Sequence, residues 1–175
     1  MLCDAFQTDL LAARDLRQTQ IDGALAVGRP WVGSLCLALP GEEKTPPGAL
    51  DLFAWGRHLL EVAMPGFEPL QEQIDPLGSW LLVSAKTDAL SAKRIGIALE
   101  NRHPAARLFD FDIYLPRSGP LSRASLGMDE RPCLLCRRAA RNCIRLKRHH
   151  PEEVVRAAHA LIACFRNSSP GRLSD

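Results

Sequence analysis

One stretch decides both the fold and the chemistry of this chain: residues 107–115, which read RLFDFDIYL. Apolar and polar side chains alternate along most of it, and successive side chains of a β-strand point to opposite faces of the sheet. The alternation therefore predicts a strand over residues 108–115 with one apolar face. That face comprises Phe109, Phe111, Ile113 and Leu115. It is the side of the strand that we expect to be buried.

The other face of this strand carries two carboxylates. Asp110 and Asp112 share it with Leu108 and Tyr114, and their Cα atoms would lie about 6.5–7 Å apart at the usual rise of a strand. Like charges repel, and a hard divalent cation with oxygen ligands, usually Mg²⁺ shared with substrate phosphates, would explain the pair. The alternative interpretation is an edge strand with one solvated acidic face.

The bulk composition is that of a globular protein. A chain of 175 residues, 46% hydrophobic and 24% charged, fits a single domain over residues 1–175. No stretch reaches the ~18–20 apolar residues that a membrane span requires, and the N-terminus lacks the pattern of a secretory signal. The expected location is the cytoplasm, where the six cysteines would be free or metal-bound rather than disulfide-linked.

Hydrophobic periodicity predicts an α+β fold. Helices are expected at 5–26, 49–64 and 89–100 and from Pro151 onwards, and strands at 31–39, 69–74, 80–84 and 108–115. The six central elements follow the order β-α-β-β-α-β. We therefore predict a largely antiparallel sheet with helices on one face, plus N- and C-terminal helices. Residues 167–175 are expected to form a flexible tail.

Cysteines and cations concentrate in a cysteine-rich basic segment, residues 131–150. The whole chain has a net charge of only +2, yet this segment holds seven Arg or Lys residues and no acidic residue. The spacing Cys133-x2-Cys136-x6-Cys143-x5-His149 suits four zinc ligands, with His150 as an alternative fourth. Unpaired cytosolic thiols are the other interpretation. The positive field favours a polyphosphate, nucleic acid or an acidic partner, or else it is a solvated face.

The run HPAARLFDFD, residues 103–112, resembles the signature of the apo-citrate lyase phosphoribosyl-dephospho-CoA transferases. The resemblance continues through residues 121–123, 126–127 and 131–136 to Cys143 and His149, with weaker matches at 10–14, 39–41 and 92–94. Ala106 departs from it, since a glycine is expected there. The resemblance implies a transferase of nucleotidyltransferase type. Its donor would be 2′-(5″-triphosphoribosyl)-3′-dephospho-CoA, and its acceptor a serine of the apo acyl carrier protein (gamma) subunit of citrate lyase, with release of diphosphate.

These interpretations name a set of candidate site residues. The catalytic candidates are Asp110 and Asp112, Arg107 to neutralise the displaced diphosphate, and His103 as a base, although a structural loop histidine is the alternative for His103. The candidate substrate-binding residues are cations: Lys93, Arg94, Arg123, Arg131, Arg137, Arg138 and Arg141. The expected cofactors are Mg²⁺ at Asp110 and Asp112 and structural Zn²⁺ at Cys133, Cys136, Cys143 and His149.

Two other functions remain open from the sequence. One is a non-enzymatic, zinc-stabilised module that binds nucleic acid or an acidic protein through the cysteine-rich basic segment. Few aromatic residues interleave that segment, which argues against stacking on a single-stranded nucleic acid. The other is a related transferase that acts on the carrier protein of a different lyase. The partners that the resemblance implies are the carrier protein and the triphosphate donor, and neither a membrane nor nucleic acid is expected.

Overall fold

A five-stranded antiparallel sheet organises the fold. The computed structural model describes residues 2–168, with side chains described from residue 7 onwards. The strands are β1 (Val32–Leu37), β2 (Glu68–Asp75), β3 (Gly78–Ser84), β4 (Phe109–Leu115) and β5 (Gly119–Pro120). Their order across the sheet is β2-β3-β1-β4-β5, and each neighbouring pair is antiparallel. Because β5 has only two residues, most of the outer edge of β4 has no neighbouring strand.

Helices connect and cover these strands. The described α-helices are α1 (Leu2–Ala26), α2 (Ala49–Ala63), α3 (Ala89–Leu99), α4 (Ala140–Arg145) and α5 (Pro151–Ser168), and 3-10 helices span Pro104–Leu108 and Ala124–Leu126. The predicted α+β fold is confirmed, and β1 to β4 with α2 and α3 follow the predicted β-α-β-β-α-β order. As expected for an N-cap, the Asp88 carboxylate accepts a hydrogen bond from the Ser91 backbone N–H (3.0 Å). Helix α4 and the 3-10 helices were not predicted.

The main core lies between one face of the sheet and helices α2, α3 and α5. The predicted apolar face of β4 supplies Phe109, Phe111 and Ile113, which are buried there with Leu35 of β1 and Leu81 of β3. Leu52 and Leu60 of α2, Ala92 and Leu99 of α3, and Ala158 and Ile162 of α5 complete this layer. Burial of apolar surface stabilises the fold by about 25 cal/mol per Å², so this layer is its main source of stability.

A glycine brings α3 close to β4. A Cβ atom placed on Gly96 would lie 2.5 Å from Cδ1 of Phe111, closer than carbon atoms approach in proteins. Only glycine at this position lets the helix lie directly on the aromatic ring. Since Lys93 lies one turn earlier in α3, this close approach brings its side chain to the outer edge of β4.

Helix α1 covers the opposite face of the sheet. Ile21 packs there with Val32, Trp80 and Leu82 in a second, smaller core. Beside it, the buried Arg17 donates to both carboxylate oxygens of Asp75 at 2.7 Å, and its guanidinium carbon lies 5.4 Å from the centroid of Trp80. The prediction of helices on one face therefore holds for α2, α3 and α5, whereas the N-terminal helix lies on the other face.

Two local predictions need correction. Leu108 does not share the carboxylate face, because Pro104 begins a 3-10 helix that ends at Leu108 and buries this side chain in the main core. Asn167 and Ser168 belong to α5 rather than to a tail, and residues 169–175 lie outside the described part of the chain. Within residues 2–168, no helix combines the length and the apolar character that crossing a bilayer requires.

Candidate functional site

The two carboxylates lie on one strand, as predicted, at the exposed edge of the sheet. In the register of β1 and β4, Asp110 is opposite Cys36 and Asp112 is opposite Ser34. Asp110 and Asp112 are 44% and 41% exposed at their side chains. They line a recess of about 190 Å³ together with Lys93, Glu100, Phe111, Leu121, Ser122, Arg123 and Arg131. We call this space the carboxylate recess.

Cations satisfy the open edge of β4. The Lys93 ammonium donates to the Phe111 carbonyl (2.8 Å) and to Oδ1 of Asp112 (3.0 Å), although the Lys93 side chain is only 8% exposed. The Arg131 guanidinium donates to the Phe109 carbonyl and lies 3.6 Å from Oδ1 of Asp110. Two outward-facing carbonyls of β4 that a neighbouring strand would otherwise bind are thus capped by side-chain cations. These cations also partly neutralise the two carboxylates.

Glu100, at the end of α3, connects the two arginines of the recess. Its Oε2 atom accepts from Arg123 at 2.5 Å and from Arg131 at 3.3 Å. Burial raises the pKa of Asp110 above its usual value, and the neighbouring charge of Asp112 raises it further, while Arg131 and Lys93 oppose the shift. The recess therefore holds three carboxylates and three cations, an arrangement in which an added cation or anion would find opposite charges nearby.

The predicted zinc ligands also come together. The ligand atoms of Cys133, Cys136, Cys143 and His149 all lie within 4.8 Å of one another, and the sulfurs of Cys136 and Cys143 are 3.5 Å apart. Cys133 and Cys143 are buried. Nε2 of His149 is buried without a hydrogen-bond partner among the described residues. We call these four residues the Cys3His cluster.

Local backbone geometry builds the Cys3His cluster. The Cys133 N–H donates to the Arg138 carbonyl and the Ala140 N–H to the Arg131 carbonyl, both at 2.8 Å, which folds the first two cysteines into a tight hairpin. Helix α4 then presents Cys143, and the chain reverses at Lys147, whose φ of 44° is left-handed. A backbone N–H from Arg138 lowers the pKa of Cys136 to about 7, while burial raises that of Cys143 to about 11.

A large cavity of about 960 Å³ lies between the sheet, the cysteine-rich basic segment and the start of α5. We call it the large cavity. Its apolar lining residues include Leu39, Pro40, Pro132, Leu134, Ile144, Pro151 and Val154, and its cationic ones are Arg107, Arg123, Arg131, Lys147 and Arg148. Cys133, Cys143 and His149 also line it, so the Cys3His cluster forms part of its wall. Glu100, Arg123 and Arg131 line both the large cavity and the carboxylate recess.

The structure gathers most of the predicted site residues at these two spaces. Asp110, Asp112, Lys93, Arg123 and Arg131 meet at the carboxylate recess. Arg107 lines the large cavity and donates to the Cys133 carbonyl at 2.7 Å, which ties β4 to the cysteine-rich basic segment. Arg94 lies exposed on α3 and lines neither space. Arg137, Arg138 and Arg141 are exposed on the segment and line neither space, and Arg141 pairs with Glu130.

His103 lies apart from both spaces. Its Nδ1 atom accepts from the Ala105 N–H at 3.0 Å, and its Nε2 atom lies 2.9 Å from Oγ of Ser168. The ring also packs edge-on against Trp55 and Phe165. These contacts match the structural alternative for this histidine, and its role as a base stays a prediction. Ala106, where a glycine was expected, is fully buried in the main core and does not line either space.

Sequence reasoning missed Glu100 and the apolar wall of the large cavity. Glu100 follows the last residue of α3, and no sequence motif marks it. Ile144 follows Cys143 in an unpredicted helix and is 78% exposed, which is unusual for a large apolar side chain. The signal available in the sequence was an isoleucine directly after Cys143, inside a basic segment.

Together the fold and these spaces define a class: an α+β protein with paired carboxylates beside a cationic cavity. Comparison with known proteins narrows the class. A family model described as apo-citrate lyase phosphoribosyl-dephospho-CoA transferase matches residues 7–165. The chain belongs to this family, and the resemblance noted in its sequence is confirmed.

Individual relatives agree with the family model. A protein of Escherichia coli O7:K1 (strain IAI39 / ExPEC), named apo-citrate lyase phosphoribosyl-dephospho-CoA transferase, is 30% identical over 159 residues, which cover 88% of this chain and 86% of the relative. A protein of Streptococcus pyogenes serotype M18 (strain MGAS8232), named probable apo-citrate lyase phosphoribosyl-dephospho-CoA transferase, is 30% identical over 176 residues. The match covers 91% of this chain and 86% of the relative. One of Citrobacter koseri with the same name as the first is 30% identical over 158 residues, with coverage of 88% and 86%.

Proposed function

We propose that this protein transfers the 2′-(5″-phosphoribosyl)-3′-dephospho-CoA group from its triphosphate precursor to a serine of the apo acyl carrier protein subunit of citrate lyase. The bond between the serine Oγ and the α-phosphorus forms, the bond to the leaving diphosphate breaks, and the serine proton is released. The observation that carries this proposal is the adjacency of the carboxylate recess to the large cationic cavity, in a chain of this family. A non-enzymatic binding module would have no need of paired carboxylates beside such a cavity.

Positioning and charge neutralisation supply most of the acceleration in reactions of this kind. Arg123 and Arg131 line the carboxylate recess, and we assign them to the triphosphate, while Glu100 holds both guanidinium groups in place. Arg107 lines the large cavity and not the carboxylate recess, so it would neutralise charge on the displaced diphosphate as this product leaves the recess. Lys93 holds Asp112 and the edge of β4, so we assign it to positioning.

The donor set of the carboxylate recess fits Mg²⁺, which takes carboxylate and phosphate oxygens. Lys93 and Arg131 lie nearest the Oδ1 atoms of Asp112 and Asp110, which leaves the Oδ2 atom of each carboxylate for a cation. We therefore propose Asp110 and Asp112 as the residues that hold Mg²⁺. When bound, the metal would supply charge stabilisation for the phosphates of the donor.

We propose that the Cys3His cluster binds one structural Zn²⁺. Three sulfurs and one imidazole nitrogen make a tetrahedral set that leaves no position for water. The buried and otherwise unpartnered Nε2 atom of His149 supports this proposal, because buried polar atoms normally have partners. Binding through thiolates also fits a reducing compartment such as the cytoplasm. Elemental analysis of protein purified without chelator should give about one zinc per chain.

We propose that the outer cations Arg137, Arg138 and Arg141 dock the acidic carrier protein. They are exposed and line neither space, so they are available to a macromolecular partner rather than to the donor. Long-range attraction between opposite charges would speed the encounter.

Mass spectrometry tests the proposed transfer directly. The apo carrier protein of citrate lyase is incubated with this protein, Mg²⁺ and the triphosphate donor, and should gain the mass of the phosphoribosyl-dephospho-CoA group. A carrier protein in which the acceptor serine is replaced by alanine is the matched control. No mass gain with the carrier protein of citrate lyase, but a gain with that of another lyase, would instead support the related transferase. No gain with any carrier protein would reject the function.

A further inference from the structure

We infer that the large cavity binds the dephospho-CoA part of the donor, its adenosine, diphosphate and pantetheine arm, while the carboxylate recess takes the triphosphoribosyl end. This inference rests on the proposed function for the identity of the donor. It adds where each half of that donor lies, and it gives the cysteine-rich basic segment a role in binding a nucleotide rather than only in stabilising the chain.

The sizes of the two spaces differ in the way that the two halves of the donor differ. The carboxylate recess measures about 190 Å³, and the large cavity measures about 960 Å³. Pockets for drug-sized ligands and cofactors span roughly 300–1,000 Å³. The recess is thus too small for a nucleotide with a pantetheine arm. The cavity has the size of a cofactor site and is much larger than the acceptor serine of the carrier protein would need.

The walls of the large cavity match the chemistry of dephospho-CoA. Leu134, Ile144 and Val154 offer apolar surface for an adenine ring or a pantetheine arm. Lys147 and Arg148 lie beside them and offer positive charge to the bridging diphosphate. An apolar wall with a few cations is typical of a site for an organic phosphate, and inorganic phosphate alone would have no use for the apolar part.

The two spaces are neighbours, as a donor with a part in each of them requires. Glu100, Arg123 and Arg131 line both of them, so one ligand can lie against these side chains with a part in each space. In the donor, the triphosphoribosyl group branches from the ribose of the adenosine. An adenosine in the large cavity can therefore extend this branch past Arg123 and Arg131 towards Asp110 and Asp112.

The Cys3His cluster holds the wall of this binding site. Cys133 and Cys143 line the large cavity and are the only buried residues of segment 131–150, and Ile144 follows directly on Cys143. The wall therefore depends on the same residues that form the cluster. This placement explains why a segment with so few buried residues lies beside the recess and not at a remote surface.

Calorimetric titration with dephospho-CoA tests the inference without any transfer chemistry. The variant Ile144→Glu places a negative charge at the cavity wall and should weaken binding about tenfold or more. The matched control is Leu146→Glu, which adds the same charge two residues away. Leu146 is 57% exposed, against 78% for Ile144, and does not line the cavity. The affinity of the Leu146→Glu variant for dephospho-CoA should stay within about twofold of wild type.

A second pair of variants tests the cations. Replacing Lys147 and Arg148 by Gln should lower the affinity for dephospho-CoA about tenfold, since charge-assisted hydrogen bonds are lost. Replacing Arg137 and Arg138 by Gln removes the same charge from the same segment, but outside the cavity, and should change the affinity little. Inorganic diphosphate should compete only weakly, because it cannot use the apolar wall.

Three results would overturn the inference: no binding of dephospho-CoA, equal effects of the cavity variants and their controls, or equal affinity for diphosphate and dephospho-CoA. Zinc content and melting temperature of every variant show whether the wall is intact. Failure of this inference is distinguishable from failure of the proposed function. Transfer to the carrier protein without such binding would keep the function and move the donor elsewhere, while binding without transfer would keep the cavity site and reject the function.

Discussion

Strand β4 and the cysteine-rich basic segment both contribute to the site, but different forces hold them. Phe109, Phe111 and Ile113 of β4 are buried in the main core, and the strand pairs with β1 along its length. Of the twenty residues in segment 131–150, only Cys133 and Cys143 are buried. Packing therefore holds the carboxylates, whereas we propose that Zn²⁺ in the Cys3His cluster holds the segment. On this proposal, one half of the site belongs to the core and a metal attaches the other half.

Two arginines join these regions. Arg107 precedes β4 and donates to the Cys133 carbonyl, while Arg131, at the start of the segment, donates to the Phe109 carbonyl. Each region thus supplies a cation to the backbone of the other. A change that releases the segment should therefore disturb the carboxylate recess through Arg131, although β4 itself stays folded.

The largest effect should follow from breaking the Cys3His cluster. Cys136→Ser should reduce zinc from about one per chain to near zero, because a structural site loses one of four ligands. We expect the melting temperature to fall by about 10 °C or more and the segment to become sensitive to protease. Metal analysis, thermal melting and limited proteolysis measure these changes.

Cys164→Ser is the control for this prediction, since Cys164 is an exposed cysteine of α5 outside the cluster. Its melting temperature should match that of wild type. The wild-type protein could contain no zinc, with the thiols of Cys133, Cys136 and Cys143 all reacting freely in the native state. That result would show that no metal holds the segment, and the proposed contrast with β4 would be wrong.

Next in size is the loss of activity at β4. Asp110→Asn and Asp112→Asn should each reduce the transfer rate below about a tenth of wild type, a barrier increase of more than ~1.4 kcal/mol, because a ligand for Mg²⁺ is lost. The measurement is the initial rate of carrier-protein modification at saturating Mg²⁺. Asp51→Asn, at an exposed position of α2, is the matched control and should keep the wild-type rate. If either variant keeps more than about a tenth of the wild-type rate, the aspartate that it replaces is not a ligand of the metal.

The same two variants should each change the free energy of unfolding by about 1 kcal/mol relative to wild type, but with opposite signs. Asp110→Asn should stabilise the protein slightly, because burial and the charge of Asp112 already disfavour the ionised carboxylate. Asp112→Asn should destabilise it, because the buried Lys93 loses its anionic partner. Denaturant unfolding at neutral pH and without Mg²⁺ measures both. Equal shifts would mean that Lys93 does not distinguish the two carboxylates.

The smallest effect should come from the outer cations. Replacing Arg137, Arg138 and Arg141 by Gln should raise the concentration of carrier protein needed for half-maximal rate a few-fold at low salt, and flatten its salt dependence. Arg123→Gln, at the recess, should instead lower the rate at saturating carrier protein. Transfer rates against carrier-protein concentration at two salt concentrations separate the two. A triple variant that behaves like wild type at low salt would make these arginines a solvated face.

Much of the site was accessible from local pattern. The alternation of residues 107–115 marked β4, its buried face and its carboxylates, and the spacing of three cysteines and a histidine marked the Cys3His cluster. Both signals are local. Side chains of a strand alternate with a period of two, and zinc ligands are often separated by only a few residues along the chain. The assignment of His103 came from a motif alone, and in the fold its ring is held by Ala105, Trp55 and Phe165.

The sequence by itself determined which residues alternate, which can bind a metal and which carry the charge of the segment, because these properties belong to short stretches of chain. Only the tertiary structure decided that Lys93, Glu100, Arg123 and Arg131 meet at the carboxylates. That meeting requires the strand order that leaves β4 at an edge, and the close approach of α3 that Gly96 permits. Contacts between residues far apart in the chain depend on how whole elements pack, and periodicity carries no record of that packing.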